Sequence, residues 1–378
     1  MPSVTEVPIT GSVVSWAIEQ AGTSVSDVAA RLGLDAALVQ AWIDGAERPG
    51  KTQFRRLAQA LGRPESVFFL ESPPAERSLP PSFRHPPGAA GSRQLLKKEA
   101  VSLKRASRAQ RIAVWVAEKE GLQGPELPAI ASNVPAERAA ETALQYFNWS
   151  ASAQAATASP SELVSTLRDR FESIGILVLH LPLTESGSRG FSLYHAVRPL
   201  IAVNTAYNPE ARAFTYLHEF GHLLRRTDAL CTLALDTALE RWCEEFASAF
   251  LLPTSVFLDY VESTFPNEPV RTVQQVGRIA RHFRVSLRAV AVRLERLGRA
   301  EAGLYDHVNE VAEFRGRGGG GGGETTAEKR FREFGPGYSR LLIDAERRGI
   351  VKSDDLLEYL NVSNSQLRDL RLLAATGN

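Results

Sequence analysis

The chain has 378 residues, a formal net charge of +1, 44% hydrophobic residues and 23% charged residues. This length exceeds what one hydrophobic core usually organises, so we expect two or three domains of a soluble globular protein rather than a disordered or fibrous chain. No apolar run approaches the roughly 18 residues of a membrane span, and the first residues lack a basic stretch followed by an apolar one. Two cysteines argue against a disulfide framework. These features predict a cytoplasmic protein without a membrane partner.

Two segments are strongly basic. Residues 84–111 carry eight Lys and Arg side chains against one acid, Glu99, and residues 271–300 carry eight arginines against Glu295. Such segments can contact phosphates, although a charged stretch is more often a solvated helix face. We therefore consider DNA as one partner of this chain.

Residues 9–72 are predicted to form a helix-turn-helix domain. A first helix begins at Ser24 or Ser26, Gly33 marks a tight turn, and a second short helix ends at Gly45. Together with "TQFRRLAQALGRPESVFFL", this stretch resembles the XRE-like helix-turn-helix family, which implies that the second helix of the pair enters the major groove of DNA.

The composition of this domain leaves its partner open. Gln40 is the only usual base reader among the predicted outward residues of the second helix, and residues 11–71 hold six basic against seven acidic side chains. Docking of a protein is supported as well as docking of DNA.

Residues 73–160 are predicted to be a proline-rich linker followed by a basic helical segment, with a loop over residues 151–160. From Ser161 the pattern changes to mixed α and β. The stretch "SELVSTLRDRFESIG" has helical spacing, and "ILVLHLPL", "RGFSLYH" and "RPLIAVN" are predicted as strands. Residues 301–324 form a glycine-rich linker, and residues 325–378 a C-terminal helical region.

The stretch "TYLHEFGHLL" is the strongest chemical signal. A helix is predicted to begin at Asn208, which can cap it. His218 and His222 then lie one turn apart on one face, and Glu219 is rotated away by about 100°, within reach of a water bound to a metal ion. This HExxH arrangement predicts a metal centre, in contrast to two histidines on an ordinary helix.

A third ligand is expected because catalytic zinc usually takes three protein groups and one water. The stretch "DTALERWCEEFASAFLLP" is predicted as a second helix, and it offers Glu240 and Glu244 one turn apart. From "GILVLHLPL" to "ERWCEEFASAFLLP" the chain resembles the ImmA/IrrE family of zinc metallo-endopeptidases, over about 100 residues. The order of a helix-turn-helix followed by a peptidase domain is frequent in that family.

The resemblance implies a role for each matching residue. His218, His222 and Glu240 match the three zinc ligands, and Glu219 matches the general base. The family usually has Asn or Asp where this chain has Glu244, which is therefore either an outer residue that orients a histidine or an alternative ligand. The implied fold is mixed and mostly α, with a zincin-like α+β peptidase domain at residues 161–300 between the helix-turn-helix bundle and a C-terminal helical appendix.

Residues outside the motif are also assigned to the site or excluded from it. An oxyanion donor is expected among four residues: His195, Tyr194, Tyr207 and Tyr216. The "RPLIAVN" strand is proposed as a sheet edge for an extended substrate. Cys231 and Cys243 are interpreted as buried apolar side chains outside the site.

Residues 279–297 resemble a second helix-turn-helix, which often follows the peptidase motif in this family. If this segment binds DNA, the phosphate contacts would come from four arginines: Arg278, Arg281, Arg284 and Arg288. Otherwise it supports the zinc domain.

The sequence thus predicts a regulatory zinc endopeptidase that cleaves a specific protein partner, such as a repressor-like or toxin-like protein, and so controls transcription or a stress response. The alternative is a helix-turn-helix regulator or antitoxin-like binding protein whose zinc domain is sensory or structural.

Overall fold

The fold is known from a computed structural model. It describes residues 6–20, 23–61, 63, 65–73, 83–84, 97–183, 188–226, 237–266, 268–301, 303–313 and 324–376. The chain divides into two compact units between residues 78 and 79. Helices dominate both units and one small sheet lies in the second, which confirms the predicted mixed, mostly α fold class.

The described elements have the following bounds. The helices are α1 (Gly11–Gln20), α2 (Val25–Leu32), α3 (Ala36–Asp44), α4 (Lys51–Leu61), α5 (Lys97–Lys119), α6 (Ala136–Tyr146), α7 (Ala151–Ala156), α8 (Pro160–Ser173), α9 (Pro209–Leu224), α10 (Thr237–Leu251), α11 (Thr254–Thr264), α12 (Val273–Phe283), α13 (Leu287–Arg296), α14 (Leu304–Glu313), α15 (Thr326–Arg347), α16 (Ser353–Leu360) and α17 (Asn364–Thr376). The strands are β1 (Phe83–Arg84), β2 (Leu177–Leu181), β3 (Gly190–Leu193) and β4 (Leu200–Asn204).

The first unit contains the predicted helix-turn-helix. Ser24 and Asp27 form a capping box at the start of α2, and Gly33 adopts a φ of 68° at the turn. Asp35 then caps α3 by accepting a hydrogen bond from the Ala37 N–H. The two helices and the glycine turn are confirmed, since the local signals that predict them are satisfied within the segment itself.

The sheet of the second unit has the strand order β1-β3-β4-β2. β4 is parallel to β2 and antiparallel to β3, while β1 is antiparallel to β3. β4, which contains the "LIAVN" residues of the predicted substrate edge, therefore has a strand on each side. That prediction is wrong, because a central strand has no unpaired backbone to offer a peptide.

Both faces of the sheet are buried. Alternate residues such as Val178 and Ile201 belong to a hydrophobic core shared with α8, α9 and α10. Their neighbours Leu177 and Leu200 belong to a second core shared with α5 and the C-terminal helices. The predicted C-terminal appendix thus packs on the sheet, and α15 covers the face opposite to the HExxH helix.

Helix α15 is kinked where it contacts a buried ion pair of α8. Arg168 and Glu172 of α8 are joined by a 2.9 Å salt bridge, and both side chains are less than 10% exposed. The Arg168 guanidinium donates to the Arg332 carbonyl at 2.8 Å, and the Gly337 N–H donates to Glu172 at 2.6 Å. Gly335 lies between these contacts with a φ of 86°. The kink therefore brings backbone of α15 onto both charges.

The predicted loop at residues 151–160 is wrong in its first half, which forms α7. Ser150 caps this helix, and the buried Gln154 amide donates to the Leu251 and Phe283 carbonyls at 2.9 and 2.7 Å. The alanine-rich stretch is therefore a short helix, and its Gln154 side chain links it to α10 and α12. These partners are more than 90 residues away in sequence, so no local pattern reveals them.

Two arginines of the basic helix α5 form salt bridges within the second unit. Arg105 bonds to the buried Glu333 at 2.8 Å, and Arg108 pairs with Glu358 at 2.5 Å. These partners neutralise charge that the local sequence leaves uncompensated. In the described part of the chain, none of the helices is long and apolar enough to cross a bilayer.

Gly335→Ala should destabilise the second unit, because a methyl group there would lie 2.2 Å from Glu172 Oε1 and 2.4 Å from Arg168 Nη2. Gly349→Ala is the matched control, since Gly349 has a φ of 74° but nothing within 4 Å of the added carbon. The positive φ should cost Gly349→Ala about 1–2 kcal/mol. Gly335 combines its φ of 86° with a ψ of 158°, a conformation used almost only by glycine, so its backbone should cost about 1–3 kcal/mol. Overpacking should cost Gly335→Ala about 1–3 kcal/mol more in urea unfolding. Equal losses would contradict the packing described for α15.

Candidate metal centre

The HExxH helix begins as its sequence predicts. Asn208 accepts a hydrogen bond from the Ala211 N–H at 2.9 Å, and Pro209 occupies the first turn. His218 and His222 follow on one face, and both are buried, with 0% and 4% exposure. Their Nε2 atoms lie 3.3 Å apart.

Helix α10 brings a carboxylate to these two imidazoles. Glu240 Oε2 lies 3.3 Å from His218 Nε2, and Glu240 Oε1 lies 3.3 Å from His222 Nε2. Among the described residues, these three side chains form a group of potential metal ligands whose donor atoms all lie within 4.8 Å of one another. The structure therefore joins the residues that the sequence assigns as ligands from two separate helices.

The donor set fits a zinc ion in both chemistry and spacing. Two imidazoles and one carboxylate are a common set for catalytic zinc, which leaves a fourth position for water. In a regular tetrahedron, ligand atoms about 2.0–2.1 Å from the metal lie roughly 3.3 Å from one another. The three separations of 3.3 Å in this cluster match that value.

The pKa values of His222 and Glu240 are shifted in opposite directions. Burial would lower the pKa of His222, but hydrogen bonds to the Cys243 and Glu240 side chains raise it well above its ordinary value. Burial would raise the pKa of Glu240, but hydrogen bonds to both imidazoles lower it strongly. The low pKa favours an ionised Glu240, which is the form of a carboxylate that coordinates a metal ion.

Glu219 points towards β3 rather than into the ligand set. It is fully buried, and its Oε2 accepts a hydrogen bond from the Ser192 hydroxyl at 2.9 Å. Gly190 permits this close approach, because an added Cβ would lie 2.5 Å from Thr215 and 2.7 Å from the Ala202 carbonyl. Sequence reasoning missed Ser192, although its alternation with Phe191 and Leu193 places this polar residue on the opposite face of the strand.

Cys243 lies closer to the site than the sequence suggests. It is buried on α10, and its thiol lies near enough to His222 to raise the pKa of that imidazole. Glu244, the suggested outer residue or alternative ligand, is instead exposed and outside the ligand group. The Glu244 side chain therefore lies on the exposed side of α10, whereas Cys243 lies on its buried side. Cys231 falls outside the described residues.

The candidate oxyanion donors have different environments. Tyr216 is buried, and its hydroxyl contacts His180 Nε2 behind the helix, so it is occupied away from the ligand set. His195 Nδ1 accepts a hydrogen bond from the Val197 N–H at 3.1 Å. Tyr194 is half-buried, and the half-buried Tyr207 ring lies under the Arg189 guanidinium. Three candidates therefore remain.

The candidate DNA-binding residues also differ in their environments. Gln40 donates to Asp44 of its own helix at 2.9 Å. Arg278 and Arg281 are exposed on α12, whereas Arg288 is half-buried on α13. Arg284 donates to the Thr157 carbonyl at 2.7 Å and ends α12 in a left-handed conformation, so its guanidinium has a structural role.

Comparison with known proteins agrees with the resemblance drawn from the motifs. Residues 171–295 match the sequence model of a peptidase family described as the IrrE N-terminal-like domain, which confirms the recognition of that family in this segment. No curated protein matches the chain.

Among solved structures, a Mycobacterium tuberculosis transcriptional regulator is 20% identical with a TM-score of 0.29. The match covers 49% of this chain and 51% of that one, so the chain spans about half the length of that protein.

Glu240→Gln should weaken zinc binding by more than the roughly 10–100-fold typical of changes to outer residues, because it removes the charge of a ligand. Glu244→Gln, one turn away and exposed, should leave the affinity unchanged. Competition with a chromophoric chelator measures both values. A larger loss in Glu244→Gln would show that the wrong acid has been assigned to the metal.

Proposed function

We propose that this chain is a zinc-dependent endopeptidase that cleaves a specific protein partner and thereby regulates transcription or a stress response. The observation that carries the proposal is the meeting of His218, His222 and Glu240 beside the buried Glu219. The match of residues 171–295 to a peptidase family supports the same reaction class.

His218, His222 and Glu240 would hold the zinc ion. The ion would polarise the scissile carbonyl and lower the pKa of a water molecule towards about 7. Glu219 then accepts a proton from the attacking water and returns it to the leaving amine as the peptide bond breaks. One carboxylate thus serves as base and acid in turn, and the products are a new carboxylate and a new amine.

Ser192 orients Glu219 for this task. The hydroxyl bonds one carboxylate oxygen from the sheet side, and the strand that carries it is fixed by its pairing with β4. A proton acceptor must stay within hydrogen-bond reach of the water, so restricting carboxylate rotation favours the reactive geometry. Ser192 therefore acts through Glu219.

Among the three candidate ligands, Glu240 is the most exposed to solvent. The Glu240 side chain is 30% exposed, while the His218 and His222 side chains are 0% and 4% exposed. A substrate that reaches the cluster therefore meets Glu240 at its exposed side. An open carboxylate ligand next to two buried imidazoles suits a peptide that must reach the metal from solvent.

A second function, partner binding by the helix-turn-helix unit, is favoured by the capped α2–α3 pair and its glycine turn. In α3 the Gln40 amide already bonds Asp44, which weakens the case for base reading. Steeply salt-dependent binding of the chain to its own promoter, unchanged by Glu219→Gln, would establish DNA binding as a separate activity.

Glu219→Gln should abolish peptide cleavage and keep zinc binding, because Gln preserves the shape but cannot accept the water proton. Loss of a general base lowers turnover by about 100–10,000-fold. Digestion of a proteome-derived peptide library by the zinc-loaded protein, followed by mass spectrometry of new termini, measures this. New termini produced equally by wild type and variant would reject the mechanism.

Ser192→Ala should lower kcat by about 10- to 150-fold without loss of zinc, since a hydrogen bond to a charged group contributes about 1.5–3 kcal/mol. Ser173→Ala is the control, because Ser173 is exposed and bonds only a carbonyl of its own helix. Zinc content and kcat are measured on each protein. A fall in zinc content with unchanged turnover per bound zinc would assign Ser192 to folding of the site instead.

A further inference from the structure

Strand β3 is the part of the sheet that borders the reactive carboxylate. Ser192 bonds Glu219, and Gly190 packs directly on Thr215 of the HExxH helix. One edge of β3 is paired with β4. The other edge is the sheet edge nearest to Glu219 in strand order, because β4 and β2 follow on the opposite side.

That outer edge is paired with the chain's own β1. Phe83 lies opposite Phe191, and Arg84 lies opposite Gly190, in antiparallel register. β1 belongs to the proline-rich linker, more than 100 residues before β3 in sequence. The segment therefore adds a strand to a sheet that is otherwise formed by residues 177–204.

An extended peptide bound to a sheet edge uses the same backbone hydrogen bonds as an added strand. β4 offers no edge, and β2 lies at the far side of the sheet from β3. A peptide whose scissile bond is to reach Glu219 therefore has the outer edge of β3 as its pairing partner. Two strands cannot pair with one edge at once.

We infer that Phe83–Arg84 occupies the edge of β3 on which an extended peptide substrate lies, so that the linker and the substrate compete for it. The inference rests on the proposed peptidase function for its consequence, although the pairing itself does not. The occupant is a segment of this chain, and the displacing partner is a peptide in extended conformation.

The sequence around β1 limits how strongly it binds. Pro80, Pro81, Pro86 and Pro87 flank the paired residues, and proline has no N–H to donate to a strand partner. The described pairing joins two residues of β1 to two of β3, and a longer peptide can displace so short a strand. Tethering nevertheless gives the linker an effective concentration in the millimolar range, so that it raises the substrate concentration needed for half-saturation.

The test compares the full zinc-loaded chain with the double variant Phe83→Pro, Arg84→Pro. Ser78→Pro, in the same linker but outside the pair, is the control. A peptide of residues 80–87, PPSFRHPP, should bind the double variant about tenfold more tightly than wild type or control, because the tethered competitor is gone. Hydrogen exchange of the β3 amides should be faster in the double variant without peptide.

Cleavage of library peptides gives a second readout. The half-saturating peptide concentration should fall about tenfold in the double variant while kcat stays the same, since a competing strand affects binding alone. Equal peptide affinity in all three proteins, or unchanged exchange of the β3 amides, would overturn the inference. Tighter binding of the peptide with no cleavage by any zinc-loaded protein would leave the inference standing and reject the proposed peptidase function.

Discussion

Close packing of α9 on α10 is the contact on which the candidate site depends. Gly221 lies between the two histidines, and a methyl group there would be 3.2 Å from Cys243 Sγ. The absence of a side chain lets α10 approach closely enough for Glu240 to meet both imidazoles at 3.3 Å. A bulkier residue would separate the helices and, with them, the ligands.

The sheet supports the same helix from the other side. β3 contacts α9 through Gly190 and Ser192, while β2 connects to it through the buried His180–Tyr216 contact. Arg168 extends this network to the backbone of α15. The C-terminal helices are therefore part of the structure that holds the HExxH helix in place, because they cover the sheet face that would otherwise expose the second core.

Local signals in the sequence were sufficient for what is determined locally. The caps at Ser24 and Asn208, the HExxH spacing and the alternation of the strands are all satisfied within a few residues. Strand order and side-chain pairing were not predictable in this way. The position of β4 inside the sheet and the contact of Ser192 with Glu219 join segments brought together by folding. A single sequence does not predict those pairings, because they depend on which distant segments meet in the folded chain.

The pairing of charged side chains is also not predictable from the local sequence. Arg105 and Arg108 contribute to a local excess of +7 in the sequence, yet their partners Glu333 and Glu358 lie more than 220 residues later. Salt bridges of this kind turn an apparent phosphate-binding surface into a contact between helices of one unit. A basic stretch therefore indicates a nucleic-acid partner only after its intramolecular acids have been located. In this chain Arg278 and Arg281 of α12 are exposed, whereas Arg105 and Arg108 of α5 are paired within the unit.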